Sequence, residues 1–187
     1  SSDEKYYFIN SSDHNTSEKY YFGIDEKKPE PKLIQQRKKG IIYSVNSWGR
    51  NFYMHTNEDA EDFKILISKN IESKIWETFI PSQSETMIGN LTFLNNWQIR
   101  SELSNALDKI YVKNLKTNKE EEIIFTEETV YDSSVSLMQR DRETDDLYIS
   151  YSTPKTPSRT FIYNLKTKEK KLVKEQIIPS GHNSNDY

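Results

Sequence analysis

The stretch YVKNLKTNKE at 111–120 returns fifty residues later as FIYNLKTKEK at 161–170, with Asn-Leu-Lys-Thr beginning at Asn114 and again at Asn164. A period of roughly 20–50 residues means that one supersecondary unit is being reused, which limits the fold to solenoids, propellers or arrays. The same period organises the rest of the chain. KYYFIN (5–10), NFYMHT (51–56), NWQIRSE (96–102) and LYISYS (147–152) form one series of aromatic and β-branched runs. KYYFGID (19–25), FKILIS (63–68), KIYVKNL (109–115) and TFIYNL (160–165) form the next, and PKLIQQ (31–36), KIWETFI (74–80), EEIIFT (121–126) and KKLVKE (170–175) the one after. Ahead of the first series stand GIIYSVN (40–46), MIGNLTFL (87–94) and VYDSSVSLM (130–138). The first unit has no such run, because only Ser1 to Glu4 precede its KYYFIN.

Four short strands joined by hairpin-length connections are the sequence habit of a propeller blade. The expected fold is therefore all-β: a partial β-propeller of about four four-stranded antiparallel blades, the first incomplete, at about 1–39, 40–83, 84–127 and 128–175. Composition agrees. Charged residues make up 29% of the chain, but 12 Tyr, 8 Phe and 3 Trp against 5 Gly suit many short strands rather than disorder. An open ring leaves two flanks bare, and about 500 Å² of apolar surface left exposed forgoes roughly 12 kcal/mol of gross burial. Such a piece is expected to self-associate through those flanks, to curl toward a smaller ring, or to aggregate.

Several function classes are disfavoured. With 0 Cys there are no disulfides and no thiolate metal sites. A net charge of -3 gives no general polyanion-binding signature, so nucleic acid is not expected as a partner. No apolar run reaches the roughly 18 residues of a membrane helix, and no secretory pattern opens the chain. The expected setting is cytoplasmic, without membrane or cofactor, and the Asn-x-Ser/Thr triplets at Asn10, Asn15 and Asn90 read as chance.

In an antiparallel blade the connections between second and third strands share one face with the blade-to-blade crossings. SSDHNTSE (11–18), TNEDAED (56–62), SELSNALD (101–108) and STPKTPSR (152–159) are assigned there, with Pro154 and Pro157 as hairpin rigidifiers, since proline fixes φ and cannot donate to a ladder. His14 among Ser11, Ser12, Asp13, Thr16 and Ser17 has the residue types of a triad, but such a cluster in a hairpin loop reads first as turn chemistry. The acidic run Asn57 to Asp62 lacks the glycine and terminal Glu of a calcium loop and reads as a solvated hairpin. Its Glu58, Asp59, Glu61 and Asp62 could also steer cationic peptides. No glycine begins a G-x-S-x-G nucleophile elbow. Catalytic, cofactor and metal residues are accordingly expected to be none. The lysines at 166, 168, 170, 171 and 174 protect an outer edge, and Trp48, Trp76 and Trp97 serve packing.

A family resemblance then sharpens the reading. YSTPKTPSRTFIYNLKTKEKKLVKEQIIPSGHNSNDY at 151–187 resembles the end of the propeller domain in the oligopeptidase B group of the prolyl oligopeptidase family. The SSDHNTSE loop, LIQQRKKGIIYSV and FYMHTNEDAEDFKI are similar to that propeller in the same order. The resemblance implies a two-domain serine endopeptidase, an α/β-hydrolase capped by a seven-bladed propeller, cleaving short peptides after Arg or Lys. It places triad, oxyanion hole and acidic pocket outside these residues, and makes 176–187 a linker toward the hydrolase domain, the expected partner alongside peptide substrates. Residues expected at interdomain or gating positions are His14, Ser17, Glu18, Glu58, Asp59, Glu61, Asp62, Arg100, Glu102, Pro154 and Pro157. The competing reading is a free-standing propeller that binds proteins or peptides.

Overall fold

The computed structural model describes residues 1–124, 128–138, 142–183 and 186. Its strands fall into four antiparallel sheets in which every neighbour in sequence is a neighbour in space. Sheet 1 holds β1 (Tyr6–Ser12), β2 (Ser17–Gly23) and β3 (Lys32–Gln35); sheet 2 holds β4 (Tyr43–Trp48), β5 (Asn51–Thr56), β6 (Lys64–Ser68) and β7 (Glu77–Ile80). Sheet 3 holds β8 (Thr86–Leu94), β9 (Trp97–Ser104), β10 (Leu107–Asn114) and β11 (Glu120–Glu122); sheet 4 holds β12 (Asp132–Leu137), β13 (Asp146–Thr153), β14 (Thr156–Asn164) and β15 (Lys170–Glu175). These are the strand series read from the repeat, three strands in the first unit and four in each of the others. Phe125 and Thr126, expected to extend β11, lie outside the described residues.

The repeat has a local cause. The side chain of Asn114 accepts the amides of Lys116 at 2.9 Å and Thr117 at 3.0 Å, while its backbone pairs with Asn118 and Lys119. Fifty residues on, Asn164 accepts the amides of Lys166 at 3.0 Å and Thr167 at 2.8 Å, and its backbone pairs with Lys168 and Glu169. Each Asn thus closes an Asx-type turn between the third and fourth strands of its sheet. That turn ends on a left-handed residue, Asn118 (φ 58°) or Lys168 (φ 63°).

The chain divides into two compact units, Ser1–Asn90 and Leu91–Tyr187, the division falling inside β8. In the first unit Tyr21, Phe52 and Ile71 are buried among Tyr6, Phe8, Ile34, Val45 and Trp76, joining sheets 1 and 2. The Tyr6 ring meets Phe52 edge-on at 5.1 Å, a geometry that adds electrostatic attraction to area burial. In the second unit Trp97, Ile99, Ile110 and Val112 of sheet 3 face Leu147 and Ile149 of sheet 4, with Leu94, Ile123 and Leu165 completing the core. Leu147 and Ile149 are fully buried, a gain of roughly 1.5–3 kcal/mol each relative to exposure. The outermost β15 (KKLVKE) is exposed along its length, as a lysine-rich edge that resists further pairing should be.

Three of the four second-to-third connections are shorter than expected, and the second keeps its length, shifted by one residue. The first, third and fourth turns reduce to Asp13–Thr16, Asn105–Ala106 and Pro154–Lys155, because the strands run on through the flanking Ser, Thr and Glu residues, while the second spans Asn57–Phe63. Pro157 is corrected from turn to strand. It lies in β14 at a bulge, where Tyr151 pairs with Arg159 and Thr153 with Thr156, so Ser152 alone faces Pro157 and Ser158. A bulge needs one unpaired amide, and proline has none to lose.

Candidate docking face and inter-sheet cleft

In the first unit the loops at 13–16 and 57–63 are held by the crossing at 36–42. Asp13 closes its own turn by accepting the amides of Asn15 and Thr16 at 3.0 and 2.8 Å. Arg37 then clamps the hairpin, donating to Thr16 at 2.7 Å, to the Ser11 carbonyl at 2.9 Å and to Asp13 at 3.2 Å. The Asn15 amide first, then the Thr16 side chain and amide, hold the Asp13 carboxyl below its usual range, with Arg37 adding least. Glu18 likewise sits low, first because Tyr20 donates to it at 2.5 Å and then through the Arg37 amide. His14 is exposed at the tip of this turn.

The crossing also docks on the strands. Ser17, buried, accepts the Tyr43 amide at 2.7 Å, and the Tyr43 hydroxyl donates to the Gln35 carbonyl at 2.8 Å and accepts from the Lys19 amide. Asn57 ties the second loop to the crossing, accepting the Ile42 amide and donating to the Gly40 carbonyl at 2.9 Å. Lys38 pairs with Glu58, which also accepts from Gln35 at 3.0 Å, and these contacts lower the Glu58 pKa. Asp62 accepts the Glu85 amide at 3.2 Å, leaving Asp59 and Glu61 as the exposed acids of the run. The acidic loop is therefore partly neutralised by its own crossing, which weakens it as a steering field. Arg37, Lys38 and Tyr43 are the organising residues here; they lie within LIQQRKKGIIYSV, a run that marks none of them as functional.

His55 behaves as a neutral structural group. Its ring stacks on Phe63 at 4.5 Å with a 7° interplanar angle, and Nε2 lies 2.6 Å from the Ile88 carbonyl, which makes Nε2 the donor. Burial pushes its pKa down. Phe63 holds φ 66° to present that ring, an uncommon conformation for a bulky residue.

Between sheets 1 and 2 lies a cleft of about 630 Å³. Leu33, Met54, Leu66 and Trp76 supply apolar lining, and Glu58, Asp59, Glu72, Lys64 and Lys74 supply charge. The Trp76 indole donates to the Ser73 carbonyl at 2.9 Å, and Glu72 accepts from the Tyr21 hydroxyl at 2.7 Å. Burial and Glu72 together raise the Tyr21 pKa.

In the second unit Arg100 and Glu102 are strand residues of β9 and almost fully buried. Arg100 donates through Nε to Glu102 at 2.7 Å and through both terminal nitrogens to Glu120 at 3.0 and 3.2 Å, with its guanidinium 4.8 Å from the Tyr111 ring centre. Pro154 sits in the turn to which the tail returns: the Gln176 amide donates to the Ser158 carbonyl at 2.8 Å, and the His182 ring lies 3.0 Å from the Lys155 carbonyl. Lys155 reaches Glu128 at 2.7 Å. Among the described residues no three His, Cys, Asp or Glu side chains group as a metal site would require.

Residues 1–176 match the family model described as prolyl oligopeptidase, N-terminal beta-propeller domain. The chain is 27% identical over 177 residues to Protease 2 of Moraxella lacunata, covering 94% of this chain and 24% of that protein. It is 24% identical over 158 residues to dipeptidyl aminopeptidase BI of Pseudoxanthomonas mexicana, covering 83% and 21% respectively. The chain thus spans about a quarter or less of the relatives it matches. In fold it superposes on oligopeptidase B from Trypanosoma brucei, solved in a closed form with covalently bound antipain, at a TM-score of 0.85 and 22% identity over 99% of this chain and 28% of that one. Oligopeptidase B from Leishmania major gives 0.83 at 17% identity, over 98% and 27%. The four sheets are thereby blades of a propeller, and the chain belongs to the N-terminal β-propeller domain family of the prolyl oligopeptidases.

Proposed function

We propose that this chain is the non-catalytic propeller cap of a serine oligopeptidase of the oligopeptidase B type, limiting access to short peptides that are cut after Lys or Arg by a hydrolase domain elsewhere in the protein. The observation that carries the reading is the match itself: a propeller-domain model covers 1–176, while the relatives named as peptidases are about four times longer than the matched span. A ring of blades over an active site would admit flexible peptides, exclude folded proteins and keep bulk water from the reacting groups. The tail from Gln176 onward, lying against the Pro154–Lys155 turn, suits a linker that leaves beside a loop in contact with the hydrolase domain. Pro154 stiffens that turn and Pro157 fixes the adjoining bulge. The proposed setting is cytoplasmic.

Two measurements test this. The 187-residue chain alone should not hydrolyse Arg- or Lys-containing peptides; turnover by it would end the reading. In the longer protein that carries this segment, replacing Pro154 and Pro157 by Gly should raise cleavage of a folded substrate relative to a short peptide, and an unchanged ratio would argue against the gating role. The cleft between sheets 1 and 2 favours a second reading, a peptide-binding module, since its volume falls in the range of about 300–1,000 Å³ usual for ligand sites. Saturable binding of peptides by a hydrolytically inert complete protein would favour it.

A further inference from the structure

The cleft between sheets 1 and 2 is shaped by a connection that sheets 3 and 4 lack. From the third to the fourth strand those two sheets use five-residue turns, Leu115–Lys119 and Leu165–Glu169, whereas sheet 2 uses the eight residues Lys69–Trp76. The longer connection brings Glu72, Ser73, Lys74 and Trp76 to the cleft. The Ser73 hydroxyl donates to the Ile75 carbonyl at 2.6 Å and accepts the Ile75 amide at 3.1 Å, and the Trp76 indole closes on the Ser73 carbonyl, so this end is held in shape. At the seam between sheets 3 and 4 the shorter turn instead sends Lys168 across to Glu121 at 2.6 Å. Across sheet 2, Met54, Leu66 and Thr78 stand in one row, the first buried, the second half-buried and the third exposed. Met54 is therefore the floor and the mouth lies by Thr78, with Leu33 of β3, 44% exposed, lining the cleft from sheet 1.

Strand β6 runs along this cleft, and the charges at its two ends differ. Glu58 and Asp59 lie before it, and Glu72 and Lys74 after it. Glu58 is taken by Lys38 and Gln35, with the Lys64 charge alongside. Glu72 is taken by the Tyr21 hydroxyl at 2.7 Å and faces Lys32 at 4.0 Å. Asp59 and Lys74 are both exposed, and neither has a side-chain partner among the described residues. An unspent carboxylate at one end of an apolar floor and an unspent ammonium at the other match a molecule with the opposite charges at its two ends and apolar groups between. The floor also sets a length. From Lys64 to Ile67, whose partner Glu77 follows Trp76, β6 spans about 10–13 Å, the reach of three or four extended residues.

We propose that the cleft binds free tri- and tetrapeptides with apolar side chains, the peptide amino group at Asp59 and its carboxylate at Lys74. The inference rests on the peptide-binding reading of the cleft and adds which peptides it takes. Apolar side chains settle on Met54, Leu66, Trp76 and Leu33, which supply most of the affinity, while the two end charges fix direction and length. An internal segment of a protein has neither terminus to offer, and a much longer peptide cannot hold both ends at once. The site thereby separates free short peptides from the same sequence inside a longer chain.

Isothermal titration calorimetry of the 187-residue chain with trileucine tests this, since that peptide offers no Lys or Arg for cleavage. Saturable binding is expected, weakened about two- to fivefold by N-acetylation of the peptide and about as much by C-terminal amidation, the worth of one exposed ion pair at each end. Asp59→Asn should remove the effect of N-acetylation and keep that of amidation, and Lys74→Gln should do the reverse. Both side chains are exposed, and asparagine tolerates the left-handed conformation at position 59 (φ 51°), so both variants should keep the far-UV spectrum of the parent chain. Doubly blocked trileucine that binds as tightly as the free peptide would overturn recognition of the ends and leave peptide binding standing. No binding of either form would overturn both. Variants that keep both blocking effects would also overturn the proposal, because the ends would then be held elsewhere.

Discussion

β9 and β13 hold the same place in neighbouring sheets but are buried in different ways. β13 alternates as a one-sided strand does, with Leu147, Ile149 and Tyr151 buried and the residues between them only half covered. β9 is buried on both faces: Trp97 and Ile99 on one, Gln98, Arg100 and Glu102 on the other. The apolar faces solve the same problem in the same way, by packing against each other. The second face of β9 has to keep a guanidinium and a carboxylate out of water, which is tolerable only when each charge is met by another. Arg100 meets that condition by spending its nitrogens on Glu102 and Glu120. Matching positions in a repeat therefore share a backbone but not an energy source.

The sharpest way to break the comparison is to remove the charge that holds the second face together. Arg100→Met should destabilise the protein by about 3–5 kcal/mol, because Glu102 is left buried without its partner. Adding Glu102→Leu should recover part of that loss, since an apolar pair of similar volume avoids the penalty. Urea unfolding of both variants checks this. A double variant as unstable as the single one would mean that the guanidinium itself, and not the orphaned carboxylate, is what matters.

On the one-sided strand, Ile149→Ala deletes fully buried apolar volume facing sheet 3 and should cost about 2–5 kcal/mol. Ile162, on the opposite face of sheet 4 beside Tyr148, is only half buried, and its change to Ala should cost clearly less in the same assay. Equal losses would show that both faces of sheet 4 are packed.

A third equivalent strand extends the contrast from charge retained to charge given up. Burial opposes the charge of Arg100, but its two carboxylates raise the pKa over that opposition. His55 in β5 meets a carbonyl instead, and burial lowers its pKa below the ordinary 6.5. The folded state thus binds this proton less readily than the unfolded chain. The contribution is fully present above about pH 6.5 and fades as the pH falls below it. The melting temperature should drop between pH 7 and pH 5, and His55→Phe should flatten that slope; a variant that keeps the full slope would assign it to other groups.

How far such differences could be read beforehand follows from the kind of signal involved. The strands were legible because aromatic alternation and the Asn114 and Asn164 turns are local, each turn satisfying itself within five residues. The loops were overdrawn because Ser, Thr and Glu mark turns and solvent-facing strand positions alike, which is how Ser17, Glu18 and Pro157 came to read as loop residues. Arg100 in NWQIRSE looks like the wet side of an alternating strand, and nothing local says that Glu120 waits twenty residues away. The Arg37 clamp was hidden for the same reason, since Ser11, Asp13 and Thr16 lie 26, 24 and 21 residues before it.

The smallest effect separates the two sheets at their second-to-third turns. In sheet 3 the two-residue turn places both Asn105 (φ 52°) and Ala106 (φ 59°) in the left-handed region, the arrangement of a type I′ hairpin. Asn tolerates that conformation and alanine does not, at a cost of roughly 1–2 kcal/mol. Ala106→Gly relieves the cost but gives the unfolded chain more freedom, worth about 0.4–1 kcal/mol in the other direction, so a net gain of about 0.5–1 kcal/mol is expected. In sheet 4 the corresponding turn is Pro154–Lys155, where Lys155 keeps an ordinary negative φ and holds Glu128. Lys155→Gly should therefore lose stability by a similar amount, giving opposite signs for one substitution at matching turns. Thermal melts of the two variants, run in parallel, test whether the backbone or the side chain sets each turn: a gain at both positions would mean that the sheet 4 turn is strained as well.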